Sequence, residues 1–135
     1  MAKLTDHYQL HQWEAGDSFL REDFNEDFQK VDTAIAGKPS AVVGSYVGAG
    51  GHGTSKPNVL TLGFRPRLVV VTAGGHLGIF VGECPDARVM YSNSQCSISA
   101  EWSDSGLSWW DSGMGASDTN QLNSEGTVYY YAAIG

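Results

Sequence analysis

Residues 68–83 read Leu-Val-Val-Val-Thr-Ala-Gly-Gly-His-Leu-Gly-Ile-Phe-Val-Gly-Glu. Two runs of apolar and β-branched residues flank the dipeptide at 74–75, which is typical of a tight hairpin turn. The stretch predicts two strands, over 68–73 and 77–83. Similar runs, bounded by Gly, Asn, Asp and Pro, recur after Gly37 at intervals of roughly ten residues, as expected of an antiparallel β-sandwich or barrel.

Eight strands are predicted in all, and turn residues separate each strand from the next. They cover 41–47, 59–64, 68–73, 77–83, 88–93, 97–102, 107–111 and 127–134, and the longest loop covers 112–125. The strands at 68–73 and 127–134 carry apolar side chains on both faces, whereas a strand with one solvated face alternates. Both faces of these two strands are therefore predicted to be covered, by loops or by another subunit.

Ahead of the strands, residues 18–36 place five large apolar side chains on one stripe of a helix. They are Leu20, Phe24, Phe28, Val31 and Ile35. Asp17 or Ser18 is predicted to cap the helix, and Gly37 with Pro39 to end it. The last four apolar positions also fit d and a positions of a coiled coil over two heptads. The stripe packs either on its own domain or in a bundle with neighbouring copies.

Length and composition narrow the class of protein. The 135 residues suffice for one domain with an appendage, and we divide them into an arm with a helix, 1–37, and a mainly β, jelly-roll-like sandwich, 38–135. A net charge of -7 argues against binding nucleic-acid phosphates. No apolar run approaches the roughly 20 residues that span a bilayer, and the N-terminus lacks a signal-peptide layout. We expect a protein made in a cytosol, without membrane insertion.

The N-terminal segment carries a recognisable pattern. It holds Tyr-Gln-Leu-His-Gln-Trp at 8–13, Arg-Glu-Asp-Phe-Asn-Glu-Asp at 21–27 and Lys-Val-Asp-Thr-Ala at 30–34. It resembles the N-terminal module of tail-fibre-like and other structural proteins of tailed bacteriophages and prophages. The β part is similar to small sandwich domains of phage tail fibres, in residues 43–48, in residues 62–71 and in the closing Val-Tyr-Tyr-Tyr-Ala-Ala-Ile-Gly.

The resemblance implies a virion component, commonly a homotrimer. Its N-terminal segment would attach to other virion proteins or hold the trimer together, while the sandwich points outward and contacts the host surface, with a surface glycan as a candidate partner. Such a protein would be made in the host bacterial cytoplasm. Such a protein is a short tail fibre, an adaptor or a capsid decoration. We expect the oligomer interface to include the helical stripe together with Tyr129 and Tyr131 of the last strand.

No pattern predicts catalysis, a cofactor or a metal site. The Gly-rich run at 48–53 leads into another strand, whereas a dinucleotide fingerprint leads into a helix. His7 and His11 have a spacing usable for a metal but lack a third ligand, so they are predicted to be solvated. Cys84 and Cys96 are predicted to be reduced and buried, with a disulfide as the alternative.

Trp109 and Trp110 are the candidate ligand-binding residues. They lie in a segment whose only charges are negative, and flat rings stack on the faces of sugars. Consecutive residues of a strand point to opposite sides, so at most one of the two belongs to a given core. Burial in the core or at an interface is the alternative for each ring. The competing function class is therefore a small carbohydrate-binding, lectin-like module.

Overall fold

A computed structural model describes residues 2–135. Over this range the fold is mainly β, with one α-helix and 41% of the residues in strands. The chain divides into two compact units, the first ending at Pro39 and the second covering Ser40 to Gly135. No helix in the described range is both long and apolar enough to cross a membrane.

The first unit contains β1 (Lys3–Leu4) and β2 (His11–Gln12), which pair antiparallel, and α1 (Arg21–Ala36). The N-cap residue of α1 is Leu20, and no side chain caps the helix. The cap predicted at Asp17 or Ser18 is wrong, since the Asp17 carboxylate instead accepts a hydrogen bond from Glu14 N at 2.8 Å. The helix ends where predicted, with Gly37 N donating to Thr33 O.

The second unit is an eight-stranded antiparallel sheet that curls into a half-barrel. Its strands are β3 (Ala41–Val47), β4 (Asn58–Thr61), β5 (Leu68–Ala73), β6 (His76–Val81), β7 (Asp86–Tyr91), β8 (Ser94–Ser103), β9 (Gly106–Trp110) and β10 (Val128–Ile134). Each predicted strand is present. The predicted sandwich is not confirmed, because the strands form one continuous sheet.

The strand order is β3-β10-β5-β6-β7-β8-β9-β4. From β5 to β9 the chain forms a meander with short turns, which suits the turn residues that punctuate this part of the sequence. β10 returns after the 111–127 loop and lies between β3 and β5, so that Tyr131 pairs with both Gly44 and Val71. This arrangement leaves β3 and β4 as the two edges of the sheet.

The concave face of the sheet is filled by its own side chains and by the 111–127 loop. Leu122 of that loop is fully buried and packs over Gly78, where a Cβ would lie 2.6 Å from Leu122 Cδ1. Only a residue without a side chain admits this approach. The buried apolar residues are Leu60, Val69, Val71, Phe80, Ala87, Val89, Ile98, Ala100, Leu107, Trp109, Leu122, Tyr129 and Ala133.

Candidate interaction surfaces and edge cleft

The outward side chains of β3, β10, β5 and β6 form one apolar surface, which we call the outer patch. Tyr130 pairs with Ser45 on one side and Thr72 on the other, so the outward positions lie side by side. Val43 is 82% exposed and Tyr130 is 60% exposed. The apolar members of the patch are Ala41, Val43, Val47, Leu68, Val70, Leu77, Ile79, Val81, Val128, Tyr130, Ala132 and Ile134.

No charged side chain occupies an outward position of these four strands, all of which the structure describes. At about 4.8 Å between strands and 3.4 Å per residue, the outer patch covers roughly 400 Å². Contiguous exposed apolar areas of this size commonly mark interaction sites. The prediction that both faces of β5 and β10 are covered therefore holds within the second unit only for the inward faces.

The edge of the sheet at β3 is open. Gly48 N donates to Thr127 O at 2.8 Å, which places the even-numbered residues of β3 in the hydrogen-bonded pairs with β10. The N–H and C=O groups of the odd-numbered residues, Val47 among them, point away from the sheet. Open edges of this kind accept further hydrogen-bonding partners.

The apolar stripe of α1 is exposed, and the helix has no buried residue. Phe28 is 58% exposed and Ile35 is 64% exposed. Leu20, Phe24 and Val31 are also exposed. The predicted stripe is thus present as a surface with room for a partner, and its packing in a bundle stays a prediction.

Asp27 holds the N-terminal arm on α1. His11 N donates to Asp27 Oδ2 at 2.8 Å, and His11 Nδ1 lies 2.9 Å from Asp27 Oδ1. Lys30 Nζ donates to Gln9 O at 2.8 Å. Burial opposes ionisation of Asp27, but the hydrogen bonds from His11 and the charge of Lys30 outweigh it and lower the pKa of that carboxyl. His11 is half-buried and paired, so the prediction that it is solvated is wrong.

The two tyrosines assigned to an oligomer interface face inward. Tyr129 is 2% exposed and its ring stacks on Tyr46 with centroids 5.1 Å apart. Tyr131 is half-buried against the core. Because the inward side of β10 is enclosed, Tyr129 presents no ring surface to another copy. Tyr130, on the outward side, is the tyrosine that a neighbouring molecule can contact.

Trp109 and Trp110 point to opposite sides of β9, as the alternation predicts. Trp109 is 1% exposed, and its Nε1 donates to Gln121 O at 2.7 Å. Its ring fills the core and has no free face for stacking on a sugar. Trp110 is half-buried on the outward side, opposite Ser99 of β8. A ligand at Trp110 stays a prediction.

A cleft of about 410 Å³ opens between the edge strands β3 and β4. The Tyr46 hydroxyl donates to Leu122 O at 2.7 Å and accepts from Asn58 Nδ2 at 3.4 Å, so side chains join the two edges where a barrel would have a backbone ladder. Burial raises the pKa of the Tyr46 phenol. The lining residues are Tyr46, Val47, Ala49, Gly50, Lys56, Pro57, Asn58, Val59, Trp109 and Asn123.

Buried amides hold the cleft in shape. Gln121 uses all four of its hydrogen-bonding positions: Oε1 accepts from Gly53 N and Asp111 N, and Nε2 donates to Lys56 O and Asn58 Oδ1. Asn123 similarly binds the backbone of the Gly-rich loop. Sequence analysis missed these amides, since loop residues show no periodicity.

The His, Cys, Asp and Glu side chains form no metal site, and the two cysteines form no disulfide, in the described part of the chain. No cluster of three or more His, Cys, Asp or Glu in the described part of the chain could hold a metal ion. Cys84 and Cys96 are free thiols. Cys84 is exposed, so its predicted burial is wrong, while Cys96 is half-buried and its pKa is raised by burial.

Comparison with protein-family models, with curated proteins and with solved structures finds no match to this chain. Three surfaces of the chain are candidates for a functional role: the outer patch, the stripe of α1 and the cleft between β3 and β4.

Proposed function

We propose that this chain is a non-enzymatic structural component of a bacteriophage particle and that it works by associating with copies of itself. The observation that carries the proposal is the outer patch, an uncharged apolar sheet face that the chain leaves open. The resemblance of residues 5–37 to modules of phage structural proteins is the reason for proposing a phage particle. The protein would be a short tail fibre, an adaptor or a decoration.

The areas of the outer patch and of the α1 stripe support a contact between copies that uses both surfaces. The stripe of α1, 16 residues long, presents roughly 240 Å² if it is about 10 Å wide and rises 1.5 Å per residue. With the outer patch this approaches the roughly 800 Å² per partner found in stable interfaces. Either surface alone falls well short of that area.

Charge also favours these surfaces. Each copy carries a net charge of -7, so two copies repel one another as a whole, and a contact made by uncharged side chains adds least to that repulsion. The outer patch and the apolar positions of the stripe have no charged side chains. We propose a homotrimer, in which residues 1–37 also contact other virion proteins and the second unit reaches the host surface.

Light scattering of the full chain tests self-association. We expect three times the chain mass of 14.5 kDa. Tyr130→Glu in the outer patch and Phe28→Glu in the stripe should each lower the mass, because a buried, unpaired carboxylate opposes the contact. Met114→Glu, at an exposed apolar residue outside both surfaces, is the matched control and should leave the mass unchanged. A monomeric wild-type chain would overturn the proposal.

A further inference from the structure

We propose that the cleft between β3 and β4 is a saccharide-binding site. Its volume of about 410 Å³ lies within the range of roughly 300–1,000 Å³ typical of small-molecule sites. Val47, Pro57 and Val59 give it apolar walls, and Lys56 is the only charged side chain among residues 2–135 that lines it. A sugar ring carries apolar C–H faces as well as hydroxyls, and the cleft offers partners for both.

Unpaired backbone groups face each other across the cleft. Leu62 N donates to Ser105 O at 2.7 Å, which places the even-numbered residues of β4 in the hydrogen-bonded pairs with β9. The N–H and C=O of Val59 therefore point to the open edge, as do those of Val47 on β3. Each wall thus presents a backbone donor and a backbone acceptor.

Strand direction favours hydroxyls over a peptide as the occupant. Eight strands alternate in direction through the sheet, so β3 and β4 run antiparallel to one another. A single extended peptide between them would pair antiparallel with one edge and parallel with the other, and these two ladders have different hydrogen-bond spacings. Hydroxyl groups donate and accept in any direction, so a saccharide satisfies both edges without this conflict.

The backbone and the stem of Lys56 are held at the cleft. Lys56 takes part in no ion pair among residues 2–135, and its carbonyl is held by Gln121 Nε2 at 2.7 Å. Its stem packs on Gly51, where a Cβ would lie 2.5 Å from Lys56 Cδ and where φ is +89°. A preformed site of this kind spares the ligand the entropy cost of ordering it. Lys56 Nζ is available to donate to a hydroxyl or a carboxylate.

Nuclear magnetic resonance on the full, ¹⁵N-labelled chain tests the site. The probes are glucose, galactose, N-acetylglucosamine and glucuronic acid, with the tripeptide Ala-Ala-Ala as the competing class. We expect at least one sugar to shift the amide signals of Val47, Lys56 and Val59. Lys56→Ala should weaken that binding about tenfold, the usual worth of a hydrogen bond from a charged group.

Arg67→Ala removes another exposed cation that lies away from the cleft and should leave sugar binding unchanged. The assignment would be overturned if none of the four sugars shifted these amide signals, or if only the tripeptide did. It would also be overturned if the Lys56→Ala variant bound sugar with the affinity of the wild type. The result is separable from self-association, because Lys56 lies outside the outer patch and its substitution should not change the mass measured by light scattering.

Discussion

Gln121 Nε2 donates a hydrogen bond to Asn58 Oδ1 at 3.1 Å, and both residues are buried. Asn58 begins the edge strand β4, while Gln121 belongs to the 111–127 loop. Asn58 Nδ2 also donates to Leu122 O at 3.1 Å. Two amides thus fasten the loop to the end of the sheet, and because each polar atom has a partner, their burial carries no penalty for an unmade hydrogen bond.

Substitution of Gln121 should be strongly destabilising. In Gln121→Leu the buried N–H of Asp111 and the half-buried N–H of Gly53 lose their acceptor, and a buried group left unsatisfied costs about 1–3 kcal/mol. We expect the free energy of unfolding, measured by urea titration, to fall by about 2–4 kcal/mol. The control is Gln95→Leu on an exposed position of β8, which should change it by less than about 0.5 kcal/mol. Equal effects of the two substitutions would contradict this account.

The contact between Gly78 and Leu122 predicts a coupled pair. Gly78→Ala forces a Cβ against Leu122 and should lower the free energy of unfolding by about 1–3 kcal/mol. Leu122→Ala alone leaves a cavity and should cost about 2–4 kcal/mol. Since the shortened side chain makes room for the new methyl group, the double variant should be more stable than the sum of the two losses predicts. Strict additivity in the urea titrations would show that the two residues do not touch.

Loss of the Asp27 charge should release the N-terminal arm. In Asp27→Asn the hydrogen bonds from His11 lose their charged acceptor, so the His11 amide proton should exchange with solvent faster than in the wild type. Hydrogen exchange followed by NMR measures this. Asp32→Asn, an exposed acid of the same helix, should leave the exchange rate unchanged, and protection that survives in Asp27→Asn would contradict the role of Asp27.

Acid should release the arm in the same way. The folded pKa of Asp27 lies below its ordinary value of 3.8, so the folded state favours the carboxylate. Its contribution is fully present above that ordinary value and is lost as the pH falls through the lowered folded pKa. We expect protection of the His11 amide to disappear over that acidic range in the wild type and to show no such step in Asp27→Asn.

The two thiols should differ in reactivity. Cys84 is exposed, whereas burial raises the pKa of Cys96 and reduces its thiolate fraction. Labelling with Ellman's reagent near pH 8 should therefore show a fast and a slow phase, and Cys84→Ser should abolish the fast one. Cys96→Ser should instead leave the fast phase intact. A single phase, or a mass two units lower than the reduced chain, would contradict two free thiols of unequal exposure.

Local patterns in the sequence identify the elements well. β3 and β5 have the predicted bounds because β-branched runs end at glycine or proline turns. The helix over Arg21–Ala36 follows from its apolar spacing. Its start differs from the prediction, since Asp17 closes its own turn with Glu14 and is not at the N-cap.

Contacts distant in sequence are the part that local patterns do not determine. The insertion of β10 between β3 and β5 depends on pairings such as Tyr131 with Gly44, and no short-range signal marks them. The same holds for Gln121, whose partners lie up to 68 residues away. Sequence reasoning also could not tell which face of β10 points inward, because both faces are apolar. The oligomer interface was therefore predicted to include Tyr129 and Tyr131, both of which face inward.

The pairing of Ala41 with Ile134 has a mechanical consequence. A force that draws these two residues apart peels β3 from β10 one rung at a time, and each rung resists alone. A force that enters at Ala41 and leaves through Val128, at the opposite end of β10, instead loads all seven residue pairs together in shear. Tension in that second direction therefore meets a stiffer response than tension in the first.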